Sequence, residues 1–189
     1  MTRLPDPMLA RPAPVPGGDY AYEVKWDGFR AIISTTGGLS VRSRRGWNMT
    51  QLLPELMDLP QGLVLDGELV AWGDDGLPSF PRLCERMLHG RSGIAVTYMI
   101  FDLLERDGRS TMHHAYWRRR RMLDRFDLNG RSWRTSEAFD DGEALFESVK
   151  EAKLEGVVAK KLSQPYKPRE RLWVKTKNRE YWRFGAGTA

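Results

Sequence analysis

Cysteine is nearly missing from this sequence of 189 residues, because Cys84 is the single one. One cysteine excludes an internal disulfide and a zinc site made of cysteines. The three histidines, His89, His113 and His114, are too few and too badly spaced to predict a zinc site. No apolar run reaches the length of a signal peptide or of a membrane span. We therefore expect a protein of the reducing cytoplasm that has no membrane partner.

Acidic residues are outnumbered by basic ones, 25 against 30, which gives a formal net charge of +5. This balance favours a polyanionic partner, with nucleic acid as the first choice. The alternative is an arginine-rich surface that serves only solubility. A hydrophobic content of 41% with seven tryptophans indicates a folded chain with a substantial core rather than a disordered one.

Proline is concentrated at the beginning of the sequence, where residues 1–19 hold five of the 11 prolines. This composition predicts an extended lead-in with little regular structure. Residues 20–189 contain no repeat and no convincing linker, so they predict one domain of the α+β class.

Short strands dominate the predicted domain, and helical patterns lie between them. Apolar alternation predicts a hairpin that turns at Asp27-Gly28 and a second hairpin that turns near Asp66-Gly67. Further strands are predicted at 39–45, 94–108, 155–161 and 173–178. Helices are predicted at 48–59, 116–128 and 140–153.

The first predicted hairpin carries many charges, in the stretch YEVKWDGFR. Lys25 lies there between Glu23 and Asp27, and Arg30 follows. Lysine is a poor nucleophile because its ordinary pKa is about 10.4, and liberating the amine at pH 7 costs roughly 4–5 kcal/mol. Nearby cations or burial would lower that cost. The stretch is therefore either a solvated charged hairpin or the site of a reactive lysine.

Two acids and two lysines stand out further along the chain. Glu68 and Glu155 each lie beside a glycine on a predicted strand with apolar flanks. Two such carboxylates suit Mg²⁺, which completes its ligands with water and a substrate phosphate. Lys175 and Lys177 point to one face of a strand, where a phosphate would relieve their repulsion. The alternatives are solvent-facing acids at strand ends and protective lysines on an edge strand.

The order of these motifs resembles a known family, the covalent nucleotidyltransferases, which comprises ATP-dependent DNA ligases, RNA ligases and mRNA capping enzymes. The family signature K-x-D-G-x-R matches Lys25–Arg30. Five further motifs follow in the family's order: SRRG at Ser43–Gly46, DGEL at Asp66–Leu69, YMIFD at Tyr98–Asp102, EGVVAKK at Glu155–Lys161 and WVKTK at Trp173–Lys177. The resemblance extends from about Met8 to Arg183. The residues within these motifs are most similar to those of bacterial ATP-dependent DNA ligases, including the ligase modules of end-joining proteins.

This resemblance implies an ATP-grasp-like nucleotidyltransferase domain, in which two antiparallel β-sheets are flanked by helices and the nucleotide lies between the sheets. It implies that Lys25 attacks the α-phosphate of ATP and holds AMP as a phosphoramidate. AMP then passes to the 5′-phosphate at a nick, and the 3′-hydroxyl displaces it. The implied cofactors are ATP and Mg²⁺ or Mn²⁺. The implied partner is nicked double-stranded DNA in a bacterial cytoplasm, bound during repair, recombination or replication by a monomer.

The resemblance also implies which residues bind the nucleotide around Lys25. Glu23 would accept from the adenine amino group and favour ATP over GTP. Phe101 would stack on the adenine, with an ordinary core position as its alternative. Arg30 and Glu68 would contact the ribose.

Catalytic and metal-binding roles are implied for a second group. Glu155 would hold the metal, with Glu68 as the second carboxylate. Lys175 and Lys177 would bind the AMP phosphate and stabilise charge in the transition state. Asp27 would support the lysine and a metal-bound water.

Contacts with DNA are implied for several arginines and lysines. Arg30 and Arg44 would bind the 5′-phosphate of the nick, and Arg45 is the alternative to Arg44. Lys160–Lys161 are expected to face outward, toward DNA phosphates. The arginines at 118–121 spread over all faces of a predicted helix, so they are either solvated surface or DNA contacts.

One part of the family's ligases is not found in this sequence. Those enzymes continue into an oligonucleotide-binding (OB) domain with a final basic motif, whereas the sequence ends about a dozen residues after Lys177. The OB domain is thus expected to be absent, nick sealing by this chain alone is expected to be weak, and an OB domain or repair protein in trans is an implied partner. The alternatives are an RNA ligase, a capping-type enzyme, or a nick-binding module with impaired catalysis.

Overall fold

The computed structural model describes residues 4–181, in which two β-sheets pack on each other. The first sheet consists, in spatial order, of β1 (Ala10–Pro12), β10 (Trp173–Lys177), β9 (Gly156–Lys161) and β2 (Tyr20–Val24). The strand β1 runs parallel to β10, and the other neighbours are antiparallel.

The second sheet is larger. In spatial order it consists of β4 (Ser40–Ser43), β3 (Phe29–Ser34), β5 (Leu63–Ala71), β6 (Val96–Arg106) and β7 (Arg109–Ser110). A short strand, β8 (Trp133–Thr135), joins β6 in parallel. The predicted α+β class is confirmed, although β1 and β8 make both sheets mixed rather than wholly antiparallel.

Three short helices surround the sheets: α1 (Phe80–Leu88), α2 (Tyr116–Asp124) and α3 (Gly142–Glu151). Both α2 and α3 were predicted from their spacing, and Asp141 caps α3 by accepting from the amide of Ala144. The helix predicted at 48–59 is wrong, because Pro54 divides that segment into two 3-10 turns. Within residues 4–181, no helix is long and apolar enough to cross a membrane.

Three apolar clusters hold these layers together. Between the sheets, Ile32 and Phe101 of the second sheet pack near Trp173 of the first. The opposite face of the first sheet, with Val157, packs against α3. The opposite face of the second sheet, with Leu65, packs against α1 and the 3-10 turns. The inner faces of the two sheets therefore enclose the space that the family resemblance assigns to the nucleotide.

Both predicted hairpins are wrong. The strands β2 and β3 belong to different sheets, because β2 pairs with β9 whereas β3 pairs with β4 and β5. Residues 25–28 therefore connect one sheet to the other. The second predicted hairpin is a single strand, since β5 continues through Asp66-Gly67.

The glycines of these two stretches allow neighbouring atoms to approach the backbone closely, and they do not form turns. A Cβ atom on Gly28 would lie 2.0 Å from the carbonyl oxygen of Leu69. A Cβ atom on Gly67 would lie 2.4 Å from the ring of Tyr98. Glycine therefore lets the connection cross close to β5 and lets an aromatic ring approach that strand closely.

The proline-rich lead-in is mostly extended, yet it is packed against the domain. It contributes β1 to the first sheet, and Met8 is fully buried between the sheets. Asp6 forms an ion pair, at 2.6 Å, with Arg169, which lies far away in the sequence. Packing therefore continues across the boundary predicted at residue 19. Residues 1–3 and 182–189 of the predicted ranges lie outside the described residues.

Candidate active site

A cavity of about 200 Å³ lies between the inner faces of the two sheets. Eight of the residues singled out in the sequence line it: Glu23, Lys25, Arg30, Arg44, Glu68, Phe101, Lys160 and Lys175. They come from six different strands, from the connection that follows β2 and from one turn. The motifs that are scattered along the sequence therefore meet in one place.

Strand alternation explains how the first sheet supplies this cavity. Glu23 of β2 lies opposite Val158 of β9, which in turn lies opposite Lys175 of β10. Side chains at paired positions point to the same face of a sheet. Tyr22, one residue earlier, points to the other face and packs near α3.

The predicted nucleophile and the predicted metal ligand contact each other. Lys25 Nζ lies 2.5 Å from Oε2 of Glu155, and their side chains are 21% and 8% exposed. The backbone N–H of Lys25 also donates to the carbonyl of Gly156, at 2.8 Å. The amine is therefore fixed at the end of β2, beside a carboxylate and at the wall of the cavity.

Glu68 lies on β5 opposite Arg30 and is the second acid of this region. Burial raises the pKa of Glu68 to about 7, although the charges of Arg30 and Lys25 act in the opposite direction. The charge of Glu155 adds to the increase. Two carboxyl groups that repel each other in this way would be relieved by a cation between them.

A metal at this position would need ligands from outside the chain. Within residues 4–181 there is no group of three or more His, Cys, Asp or Glu side chains that could hold a metal ion. Glu68 and Glu155 supply hard oxygen atoms, and Mg²⁺ commonly binds through one or two carboxylates together with water and substrate phosphates. The donor set therefore fits Mg²⁺ in the presence of a phosphate substrate.

Several cations converge near Lys25. Burial lowers the pKa of Lys175, and the positive charges of Lys25, Lys177 and Arg44 lower it further. Lys177 is exposed at the end of β10, opposite Gly156. The one-face arrangement predicted for Lys175 and Lys177 thus forms part of a basic cluster that suits an anion.

The opposite end of the same face is buried and charged. Glu23 is 2% exposed, and its Oε1 accepts from the hydroxyl of Tyr116 at 2.6 Å and lies 2.7 Å from Nζ of Lys160. Lys160 also donates to the carbonyl of Phe101, at 2.9 Å. Burial lowers the pKa of Lys160, whereas Glu23 acts in the opposite direction.

The expectation that Lys160 and Lys161 both face outward is therefore wrong for Lys160. Adjacent residues of a strand point to opposite faces, so only one of two consecutive lysines can face solvent on a covered sheet. Lys161 is the exposed one. The pairing of Lys160 with Glu23 could have been predicted from this alternation, had the partner strand of β9 been known.

Arg30 is held by a buried carboxylate. Its Nε and one terminal nitrogen lie 2.5 and 2.6 Å from the two oxygens of Asp66, which also accepts from the Tyr166 hydroxyl at 2.6 Å. The guanidinium lies 4.5 Å from the ring centre of Phe101 and 5.0 Å from that of Trp173. Sequence reasoning missed Asp66, although it lies two residues before Glu68 and hence on the same face of β5.

The remaining predicted residues lie around this centre. Asp27 is buried and accepts from the hydroxyl of Tyr181, at 2.8 Å. Arg44 lines the cavity, whereas Arg45 lies beside it in the same exposed turn. In the arginine run, Arg119 is fully buried and paired with Asp102, so it is neither solvated surface nor a DNA contact.

Comparison with known proteins places this arrangement in a family. The family model described as ATP dependent DNA ligase domain matches residues 7–177. The SPbeta prophage-derived DNA ligase-like protein LigB of Bacillus subtilis is 34% identical over 183 residues, which cover 93% of this chain and 68% of that protein. The multifunctional non-homologous end joining protein LigD of Mycolicibacterium smegmatis is 37% identical over 182 residues, which cover 90% of this chain and 23% of that protein.

Solved structures agree with these sequence matches. A structure of mycobacterial DNA ligase D complexed with ATP and MES has a TM-score of 0.79 and 33% identity, over 92% of this chain and 60% of that one. The ligase domain of M. tuberculosis LigD has the same TM-score and 34% identity, over 92% of this chain and 59% of that one. The chain thus spans about three fifths of these ligase structures and about a quarter of LigD. It carries an ATP-dependent DNA ligase domain and belongs to that family of enzymes.

Proposed function

We propose that this chain performs the covalent chemistry of an ATP-dependent DNA ligase. Lys25 Nζ attacks the α-phosphate of ATP, a phosphoramidate bond forms to AMP, and pyrophosphate leaves. AMP then passes to the 5′-phosphate of nicked double-stranded DNA, and the 3′-hydroxyl displaces AMP to form the phosphodiester. The observation that carries this proposal is a lysine fixed at the wall of the cavity, 2.5 Å from Glu155 and beside a cluster of cations.

The cation cluster supports the first step of this reaction. A triphosphate that enters the cavity would meet Lys175, Lys177 and Arg44 near Lys25. Fixed positive charges stabilise the negative charge that develops on the α-phosphate and on the leaving group.

A divalent cation fits the acidic side of the same site. Glu155 and Glu68 would hold Mg²⁺ or Mn²⁺, with water and phosphate oxygens as the other ligands. The ion would supply positive charge to the transferring phosphate. In that state Glu155 would contact the metal instead of Lys25, which would free the amine to attack. Buried Asp27, two residues beyond the lysine, would support that lysine and a metal-bound water.

The base and the sugar would occupy the inner part of the cavity. Glu23 would accept from the adenine amino group, Phe101 would stack on the ring, and Arg30 with Glu68 would contact the ribose. Arg30 is already placed 4.5 Å from the ring centre of Phe101. This position supports a contact between Arg30 and a nucleotide that packs against the Phe101 ring.

The DNA would lie at the rim of the cavity. Arg44, with Arg45 beside it in an exposed turn, would bind the 5′-phosphate of the nick together with Arg30. A net charge of +5 would support association with the DNA backbone.

We also propose that these 189 residues act as a monomer in a bacterial cytoplasm. Nick sealing by them alone would be weak, because the family's final basic motif belongs to the OB domain.

The formation of a covalent adduct tests this proposal. We expect that ATP labelled in the α-phosphate, with Mg²⁺, yields an acid-stable labelled protein and that Lys25→Ala yields none. Lys161→Ala is the matched control, because Lys161 is a lysine of the same sheet that is exposed on its other face. The assay is run with and without a supplied OB domain. Label that persists in Lys25→Ala, or no label under either condition, would refute the proposed chemistry.

A further inference from the structure

A buried polar cluster lies at the inner end of the cavity and consists of Glu23, Tyr116 and Lys160. All three side chains are at least nine-tenths buried. Glu23 and Lys160 line the cavity, whereas Tyr116 reaches them from the first turn of α2. A carboxylate, a phenol and an ammonium group are costly to bury, so each must gain from its partners.

The two donors hold the carboxylate from one side. The Tyr116 hydroxyl and the Lys160 ammonium both reach Oε1 of Glu23, at 2.6 and 2.7 Å. Lys160 is itself fixed, because its Nζ donates to the carbonyl of Phe101 and lies 4.4 and 4.5 Å from the ring centres of Phe101 and Trp173. The carboxylate therefore has little freedom to rotate.

The kind of hydrogen bond that Glu23 can make matters as much as its orientation. The oxygens of a carboxylate accept hydrogen bonds and donate none. A 6-aminopurine offers an N–H donor to such an acceptor, whereas a 6-oxopurine offers an oxygen that the carboxylate repels.

We infer that Lys160 and Tyr116 determine the choice of purine by holding the Glu23 carboxylate in one orientation. They are positioning residues, since they act on the base through Glu23. The inference rests on the proposed function, in which Glu23 meets the adenine. A purely structural role would instead weaken the use of every nucleotide to the same extent.

The ratio of ATP use to GTP use distinguishes these roles. Adduct formation with α-labelled ATP and GTP is compared in Tyr116→Phe and Lys160→Met. We expect the preference for ATP to fall about 10-fold in Tyr116→Phe, through a higher KM for ATP with little change in kcat, and to fall further in Lys160→Met. Tyr22→Phe is the matched control, since the Tyr22 hydroxyl bonds the carbonyl of Pro16, and its preference should be unchanged.

A second measurement separates this inference from the proposed chemistry. Equilibrium binding of unlabelled ATP and GTP is followed by tryptophan fluorescence, which needs no adduct. If the wild type forms no adduct but binds ATP over GTP, and Tyr116→Phe loses that preference, the proposed reaction fails and this inference stands. If Tyr116→Phe leaves the preference unchanged, or lowers ATP and GTP binding equally, the inference is overturned. Tyr116→Phe decides the question even if Lys160→Met does not fold.

Discussion

Acidic and basic side chains lie close together in the cavity, and the pKa of Glu68 shows the effect of burial and of neighbouring charges. Its pKa is raised from the ordinary 4.5 to about 7, first by burial and then by the charges of Glu155 and Asp66. The folded protein therefore keeps a proton on Glu68 in a pH range where the unfolded chain has already lost it. Stability must then decrease as the pH rises from about 4.5 to about 7.

The substitution Glu68→Gln should abolish that decrease. At roughly 1.4 kcal/mol for each pH unit, the wild-type protein should lose at most about 3 kcal/mol of unfolding free energy across this range, relative to Glu68→Gln. Urea unfolding without nucleotide or metal, at pH 5 and pH 7.5, measures the difference. Glu137→Gln changes an exposed acid and should follow the wild type. Parallel curves for Glu68→Gln and the wild type would contradict the assignment.

At the scale of whole elements, α2 is attached to β6 by a buried ion pair. Arg119 of the helix donates to both oxygens of Asp102 at 2.8 Å, and both side chains are fully buried. Its remaining terminal nitrogen donates to the carbonyls of His114 and Gln164. This strand residue therefore helps to fix the position of the helix, and the first residue of that helix, Tyr116, bonds Glu23.

Breaking the Arg119–Asp102 ion pair should destabilise the folded protein. We expect Asp102→Asn to lower the unfolding free energy by about 3–5 kcal/mol, because it leaves a buried guanidinium without its counter-charge. Asp124→Asn is the matched control: it removes the partner of Arg120 at the surface, where Asp124 is 48% exposed, and should cost less than about 1 kcal/mol. Denaturant unfolding of both variants measures the contrast. Equal costs would show that the buried pair does not anchor α2.

The elements also show how far the sequence predicts the fold. Strand β6 and helices α2 and α3 follow from apolar periodicity and a capping aspartate, which are local signals. Strand partners are not local, so two turn-like Asp-Gly pairs, one in a connection and one inside β5, predicted hairpins that do not exist. The motif residues in the cavity wall followed from motif order. Asp66 and Tyr116 were missed, and Lys160 was wrongly expected to face outward, because their positions depend on which strands and helices meet.

For the whole molecule, the contact between the two sheets is the decisive interface, because the cavity lies in it. The lead-in takes part in this interface through Met8, which packs with Ile32 and Val64 of the second sheet and near Trp173 of the first. Its amide donates to the Tyr166 hydroxyl at 2.8 Å, and that hydroxyl bonds Asp66. Residues outside the motifs thus support the residues that hold Arg30.

Met8→Ala tests this view of the molecule. The change leaves a cavity between the sheets and should lower the unfolding free energy by about 2–5 kcal/mol. It should also weaken ATP binding, because Met8 lines the cavity and packs between the two sheets that form its walls. Met57→Ala removes a side chain of the same type that is 65% exposed, and it should change neither quantity. Urea unfolding and ATP titration by tryptophan fluorescence provide the measurements. If Met8→Ala lost stability but bound ATP as the wild type does, the lead-in would support the fold without shaping the nucleotide site.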